Sequence, residues 1–385
     1  MVESLALGEV PFYWRVKKTA LQPPCDVPAR LPFSFSFIAD LQLVIQKRNP
    51  LVLEWLERVY KEDANVGYLQ EGHSLAESYG GEFIRFFLRA SALLPKPPTS
   101  AADIGCGGIY LLQQLREQGL RVTGIDPSPV TAVAGHKAGI EIVSDFYPSP
   151  SLTEKFDVLF HYDVLEHVDD PVAFLRAHHE NLSSHGALIF AVPDCTHHIE
   201  LGDVSMLLHE HLNYFDGESL AHVLRAAGFE PLMLEPAQHG GVLLCCAVPM
   251  ANRAPRAACE KDDAKFRTFC AKAQSSLRRF TALANHLDKG ELGLYVPLRA
   301  FPYLGQLPLG TQFRFFDDDP GLHSSYYDGF NVPIENHDEL VARPPELLMI
   351  CSLAFGNKIA TKLREKLLGK IPIVLWSELF HELDG

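Results

Sequence analysis

Two clusters of residue types in this 385-residue chain could do chemistry. The first is Asp103-Ile-Gly105-Cys-Gly107-Gly108, set where an apolar strand-like run meets a helix-like one. Glycine lets the backbone turn tightly and come close to a ligand, and the following helix offers free N–H groups. A dinucleotide pyrophosphate could use the same device, but its third glycine would fall at Tyr110. Asp103, inside the strand, would repel a phosphate and attract an ammonium group. Asp126 closes the next strand, where a carboxylate can accept both hydroxyls of a ribose. Asp145, with Phe146 beside it, ends the third strand and could accept from an adenine amino group. A plain turn with a surface acid would account for Asp145 alone but not for the set.

The second cluster is His209-Glu210-His211. A His or Glu here could take a proton. The two histidines alternate, so one of them could face inward alone. A metal held by His197, His198, His209 and His211 is a weaker reading, because the spacing lacks a tight ligand pair. No metal is expected.

These residues need a scaffold. Strand-like runs at Ala101–Gly105, Arg121–Asp126, Ile140–Asp145, Phe156–Tyr162 and Ala187–Val192 alternate with helix-like runs at Tyr110–Glu117, Pro129–His136, Pro171–Leu182 and Gly217–Ala227. That alternation predicts a parallel sheet covered by helices on both faces. Pro231–Glu235 and Val242–Val248 flank Gly240-Gly241 and predict an antiparallel hairpin at the sheet edge.

Ahead of this unit, residues 1–96 form an N-terminal region rich in Pro and aromatics early, then helical over Leu51–Tyr60 and Glu82–Leu94. The unit itself takes residues 97–250. A linker and helix (251–290) lead to a second α/β unit (291–385), with strands at Leu292–Val296, Gln312–Phe316, Leu347–Cys351 and Ile371–Leu375.

The run Ala101–Pro127 resembles motif I and the acidic ribose strand of class I methyltransferases. Phe156–Val168, followed by Asp170-Pro171, and Gly186–Pro193 resemble their fourth and fifth strands. The resemblance implies a Rossmann-like seven-stranded α/β sheet and S-adenosyl-L-methionine (SAM) as the cofactor, held by Asp103, Gly105, Gly107, Asp126, Asp145 and Phe146.

Within that class, His209-Glu-His211, Gly228-Phe229 and His239-Gly-Gly241 are similar to the sugar C-methyltransferases that act on nucleotide-linked keto-sugars. By position, Glu210 and His211 become the base and His167 faces the substrate. Tyr68, with His73, falls in the segment that closes over cofactor and acceptor. The acceptor implied is a small molecule such as a nucleotide-linked sugar, methylated at carbon through an enolate. Transfer to O or N is the alternative, and a weakly active SAM-binding scaffold is another.

The sequence departs from that family in three places. Cys25 is the only cysteine before the core, so the family's N-terminal zinc module cannot form. Leu208 replaces a tyrosine. The Gly-rich turn of the C-terminal domain is replaced by Leu294–Phe301, which points to lost nucleotide recognition.

A formal net charge of −14 argues against unaided nucleic-acid binding, and Lys358–Lys370 reads as a solvated helix face. No apolar run would span a bilayer. The scattered cysteines and the absence of a signal-like start lead us to expect a cytoplasmic protein.

Overall fold

The computed structural model describes residues 4–12, 16–17, 28–62, 76–251, 262–287, 291–307, 312–327, 330–353, 355–367, 369 and 371–380. The chain opens with strands β1 (Leu5–Pro11), β2 (Val16–Lys17), β3 (Arg30–Ile38) and β4 (Leu43–Gln46). Leu31, Phe33 and Phe35 are buried and alternate with more accessible residues, the period of a half-buried strand. Helices α1 (Pro50–Glu62) and α2 (Gly81–Ser91) follow, over the two predicted helical runs. The early aromatic segment, expected without defined elements, is therefore a sheet.

The central unit contains β5 (Ser100–Ile104), α3 (Tyr110–Glu117), β6 (Arg121–Ile125), α4 (Pro129–Ala138), β7 (Glu141–Val143), β8 (Phe156–Tyr162), α5 (Pro171–Asn181) and β9 (Leu182–Pro193). It continues with α6 (Thr196–Leu201), β10 (Asn213–Tyr214), α7 (Gly217–Ala226), β11 (Phe229–Pro236) and β12 (Val242–Pro249). Seven of these strands form one sheet in the order β11-β12-β9-β8-β5-β6-β7. Those from β9 to β7 run parallel, whereas β12 is antiparallel to both of its neighbours. The predicted hairpin exists, but its second strand inserts beside β9 and leaves β11 at the edge. Full burial on both faces explains this: Leu243 to Ala247 are all buried, while Leu232 on β11 is exposed.

The last section comprises α8 (Ala264–Asn285), β13 (Glu291–Tyr295), α9 (Phe301–Leu304), β14 (Gln312–Phe316), β15 (Tyr326–Tyr327), β16 (Ile334–Glu335), α10 (His337–Ala342), β17 (Leu347–Ile350), α11 (Gly356–Leu367) and β18 (Ile373–Leu375). A five-stranded parallel sheet runs β16-β14-β13-β17-β18. Where the Gly-rich turn was missed in the sequence, Val296 takes a left-handed φ of 55°. A β-branched residue adopts that conformation only against a steric cost.

The N-terminal strands join their surroundings on two sides. β10 adds to them to give the order β1-β3-β4-β10, and β15 pairs with β2. One apolar cluster unites Leu5, Phe33 and Phe35 with Tyr214, Phe269 of α8 and Phe301 of the last section. No helix among the described residues is long and apolar enough to cross a membrane.

Candidate active site

The glycine loop follows β5. Gly105 and Gly107 have φ of 68° and 54°, conformations that favour glycine. The Gly105 N–H donates to the Ile125 carbonyl (2.8 Å), and the Gly107 N–H donates to Asp126 Oδ2 (2.8 Å). Asp126 Oδ1 accepts from the Ser128 N–H (2.8 Å), so this carboxylate fixes the loop to the tip of β6 and keeps spare lone pairs. Asp103 is 2% exposed; burial, then the charge of Asp126, push its carboxyl well up. An ammonium group brought beside it would remove that penalty. At the tip of β7, Asp145 accepts from the Phe146 N–H and the Ser149 hydroxyl. Phe146 lies 65% exposed, an open aromatic face where an adenine ring could stack. A buried acid, a positive-φ loop and an acidic strand tip fit a ligand with an ammonium group, a ribose and a base. Tyr68 and His73 lie outside the described residues.

Beside this loop lies the end of β8. A Cβ on Gly105 would come within 3.0 Å of Val164 Cγ2, so the loop and the Asp163–His167 turn are in close contact. Asp163 has a left-handed φ of 54°. Burial, with the charge of Glu210, raises its carboxyl to about 7. Glu166 is 1% exposed and neither of its carboxyl oxygens has a hydrogen-bond partner among the described residues. Burial first, then Asp163 and Glu210, push it well up. Tyr162 adds a buried hydroxyl without a hydrogen-bond partner among the described residues.

His209 and His211 point opposite ways. His209 packs edge-on against Phe12 and Phe33, and its Nε2 meets the Leu31 carbonyl at 3.2 Å. It belongs to the N-terminal sheet. His211 faces His167, with ring centroids 4.9 Å apart. Burial, with His167 beside it, holds His211 neutral at ordinary pH. His167 Nδ1 donates to the Glu210 carbonyl (3.0 Å), which leaves Nε2 turned toward Glu166 Oε1 at 3.6 Å.

The N-terminal sheet fixes this geometry. β10 pairs with β4, the Gln46 N–H donates to the Leu212 carbonyl, and the Leu212 N–H donates to the Glu166 carbonyl. The Asn213 amide donates to the carbonyls of Leu165 and Val168. The 209–214 segment is thus held between β4 and the turn that carries Glu166 and His167.

The four-histidine metal set is not assembled. His198 faces Arg299 (2.6 Å) in the last section, and His209 sits in the N-terminal sheet. Asp163 and Glu166 fall inside the Phe156–Val168 run, where the sequence alone assigns them no role. Their signal was an acid at each end of a buried Asp-Val-Leu-Glu run. Glu82 was also missed. It accepts from His239 Nδ1 (2.6 Å), and Tyr79 stacks on His239 at 4.0 Å, tying α2 to the His-Gly-Gly turn.

The strand order, the antiparallel β12 and the glycine loop define a class I, Rossmann-like methyltransferase fold, accompanied by a distinct C-terminal parallel sheet. The cofactor of this domain is SAM. A family model for a methyltransferase domain matches residues 75–234. The ubiquinone biosynthesis O-methyltransferase of Ruegeria pomeroyi is 29% identical over 147 residues, covering 34% of this chain and 59% of that enzyme. The enzyme of the same name from Cereibacter sphaeroides is 35% identical over 106 residues, covering 26% and 43%. This chain therefore spans about half the length of those two relatives, and they match about a third of it or less. Among solved structures, the 1,6-didemethyltoxoflavin-N1-methyltransferase of Burkholderia thailandensis is 18% identical, with a TM-score of 0.37 and coverage of 57% of this chain and 96% of that one.

Proposed function

We propose that the protein transfers the methyl group of SAM to a hydroxyl oxygen of a small molecule. The observation that carries this reading is the contact of the glycine loop with a turn bearing Asp163, Glu166 and His167, with His211 opposite. SAM supplies an electrophilic methyl group, and alignment with the acceptor does most of the work. Glu210, whose charge is felt by both Asp163 and Glu166, takes the acceptor's proton. Neutral His211 and the His167 ring that faces it hold the oxygen from which it leaves. The O-methyltransferase names of the relatives support oxygen over carbon. An inactive scaffold would gain nothing from keeping the Glu166 carboxyl buried without partners, since such groups are costly.

Carbon methylation of a keto-sugar is the second reading. It is favoured by the convergence of Glu210, His211 and His167, which suits removal of a proton next to a carbonyl. The C-terminal sheet weakens its nucleotide part. At the carboxyl end of β13 the Tyr295 hydroxyl donates to Asp318 (2.7 Å), and Lys362 pairs with the same carboxylate (2.9 Å). Pro297 lacks an N–H, and Arg299 is turned to His198. A diphosphate would meet the acid Asp318 there, and the Tyr295, Lys362 and Arg299 donors are already engaged.

Methyl-labelled turnover against a panel of hydroxylated aromatics and of nucleotide-linked keto-sugars separates the two readings. Product on a hydroxyl, with no deuterium exchange at carbon, is expected. Solvent deuterium entering an α-carbon and lost in Glu210→Gln would establish carbon transfer instead. No transfer to any acceptor by a SAM-loaded protein would remove both.

A further inference from the structure

We propose that Glu166, His167 and His211 bind a divalent first-row metal ion at the acceptor end of the SAM site. Their ligand atoms all lie within 4.8 Å of one another. Neighbouring ligands around one ion, with bonds near 2.1 Å, stand about 3.0–3.4 Å apart. His167 Nε2 and Glu166 Oε1, at 3.6 Å, are already close to that spacing and too far apart to hydrogen bond.

Two further observations point to a ligand. Glu166 is 1% exposed, and neither of its carboxyl oxygens has a hydrogen-bond partner among the described residues. A buried carboxyl in that state is costly and a cation would satisfy it. The His167 ring is oriented through its other nitrogen, which donates to the Glu210 carbonyl at 3.0 Å. Metal-bound histidines are characteristically fixed by that second hydrogen bond. Two imidazoles with a carboxylate select Mn2+, Fe2+ or Zn2+ over calcium and leave positions open for an exogenous oxygen.

The role of the ion rests on the methyl-transfer reading above. An acceptor hydroxyl, best one with a second oxygen adjacent, binds the open positions. It loses its proton to Glu210 and forms the O–C bond as the methyl C–S bond breaks. The sulfur keeps the electron pair and leaves as S-adenosylhomocysteine.

The test is metal binding by the full chain, stripped with chelator, in the absence of SAM. Titration with Mn2+ followed by electron paramagnetic resonance should show one site per chain. Glu166→Gln and His211→Gln should each weaken it at least tenfold, while His209→Gln leaves it intact. Calorimetric SAM binding by each variant checks that the fold survives. Absence of stoichiometric Mn2+ and Zn2+ binding in a wild-type protein that still binds SAM would overturn the proposal. So would binding that both site variants retain. A protein that binds the ion through these residues yet methylates nothing would fail the catalytic reading while keeping the site.

Discussion

At the residue scale, the proposed methyl-donor site depends on side chains that oppose one another until a ligand arrives. Asp103 and Asp126 are both buried near each other at adjacent strand tips. Gly105 shows how little room surrounds them. Gly105→Ala would place a Cβ at 3.0 Å from Val164 on a backbone with φ of 68°. A cost of about 1–2 kcal/mol is expected for the left-handed conformation alone, together with weakened SAM binding in calorimetry. A second prediction concerns His178, which is fully buried, with a pKa that burial brings down to about 4 from 6.5. A depressed histidine contributes stability above its unfolded pKa, and that stability is lost as pH falls through the folded value. At about 1.4 kcal/mol per unit, denaturant unfolding should lose about 3 kcal/mol from this group between pH 7 and 4. The loss should be correspondingly smaller in His178→Gln; an equal slope in both proteins would contradict it. The glycine loop and its strand-tip acids were legible because glycine and aspartate at such positions leave a local signature. Glu166 and Asp163 were not, because a carboxyl without a partner is a property of the assembled site.

Among the elements, the segment from Thr196 to Tyr214 does most to organise the molecule. Its end, β10, completes the N-terminal sheet, and its middle carries Asp203, which is fully buried. Asp203 accepts from the Tyr303 hydroxyl (3.0 Å), the Trp376 indole (3.1 Å) and Ser205. It thereby fastens the last section to the methyltransferase domain. Asp203→Ala would strip buried donors of their acceptor, at about 1–3 kcal/mol each. A fall of about 2–5 kcal/mol in unfolding free energy is expected, with partial recovery in Asp203→Asn; a change within error would show the fastening is unimportant. The sequence made the parallel strands plain, since each is a short apolar run between helices. It did not reveal that His209 packs into the N-terminal sheet while His211 faces His167. That division is set by the pairing of β10 with β4, residues more than 160 positions apart in the chain. The Gly240-Gly241 turn gave the pairing of β11 with β12 at the sheet edge, but a hairpin turn does not specify which of its two strands lies outside.

At the scale of the whole molecule, a SAM-binding sheet is joined by an N-terminal sheet that holds the segment bearing His211 and by a C-terminal parallel sheet. The Tyr295–Asp318–Lys362 contacts predict that the C-terminal crevice has no saturable site for a nucleoside diphosphate in equilibrium dialysis. Tight binding abolished by Lys362→Ala would contradict this. The central claim is that Asp103 to Gly108, with Asp126, bind the methyl donor in contact with the acceptor cluster. Isothermal titration of the full chain with SAM tests it most directly. One SAM per chain is predicted, with affinity reduced at least tenfold in Asp126→Ala and in Asp103→Asn. A folded wild-type protein that takes up no SAM, or variants that bind it unchanged, would contradict the account.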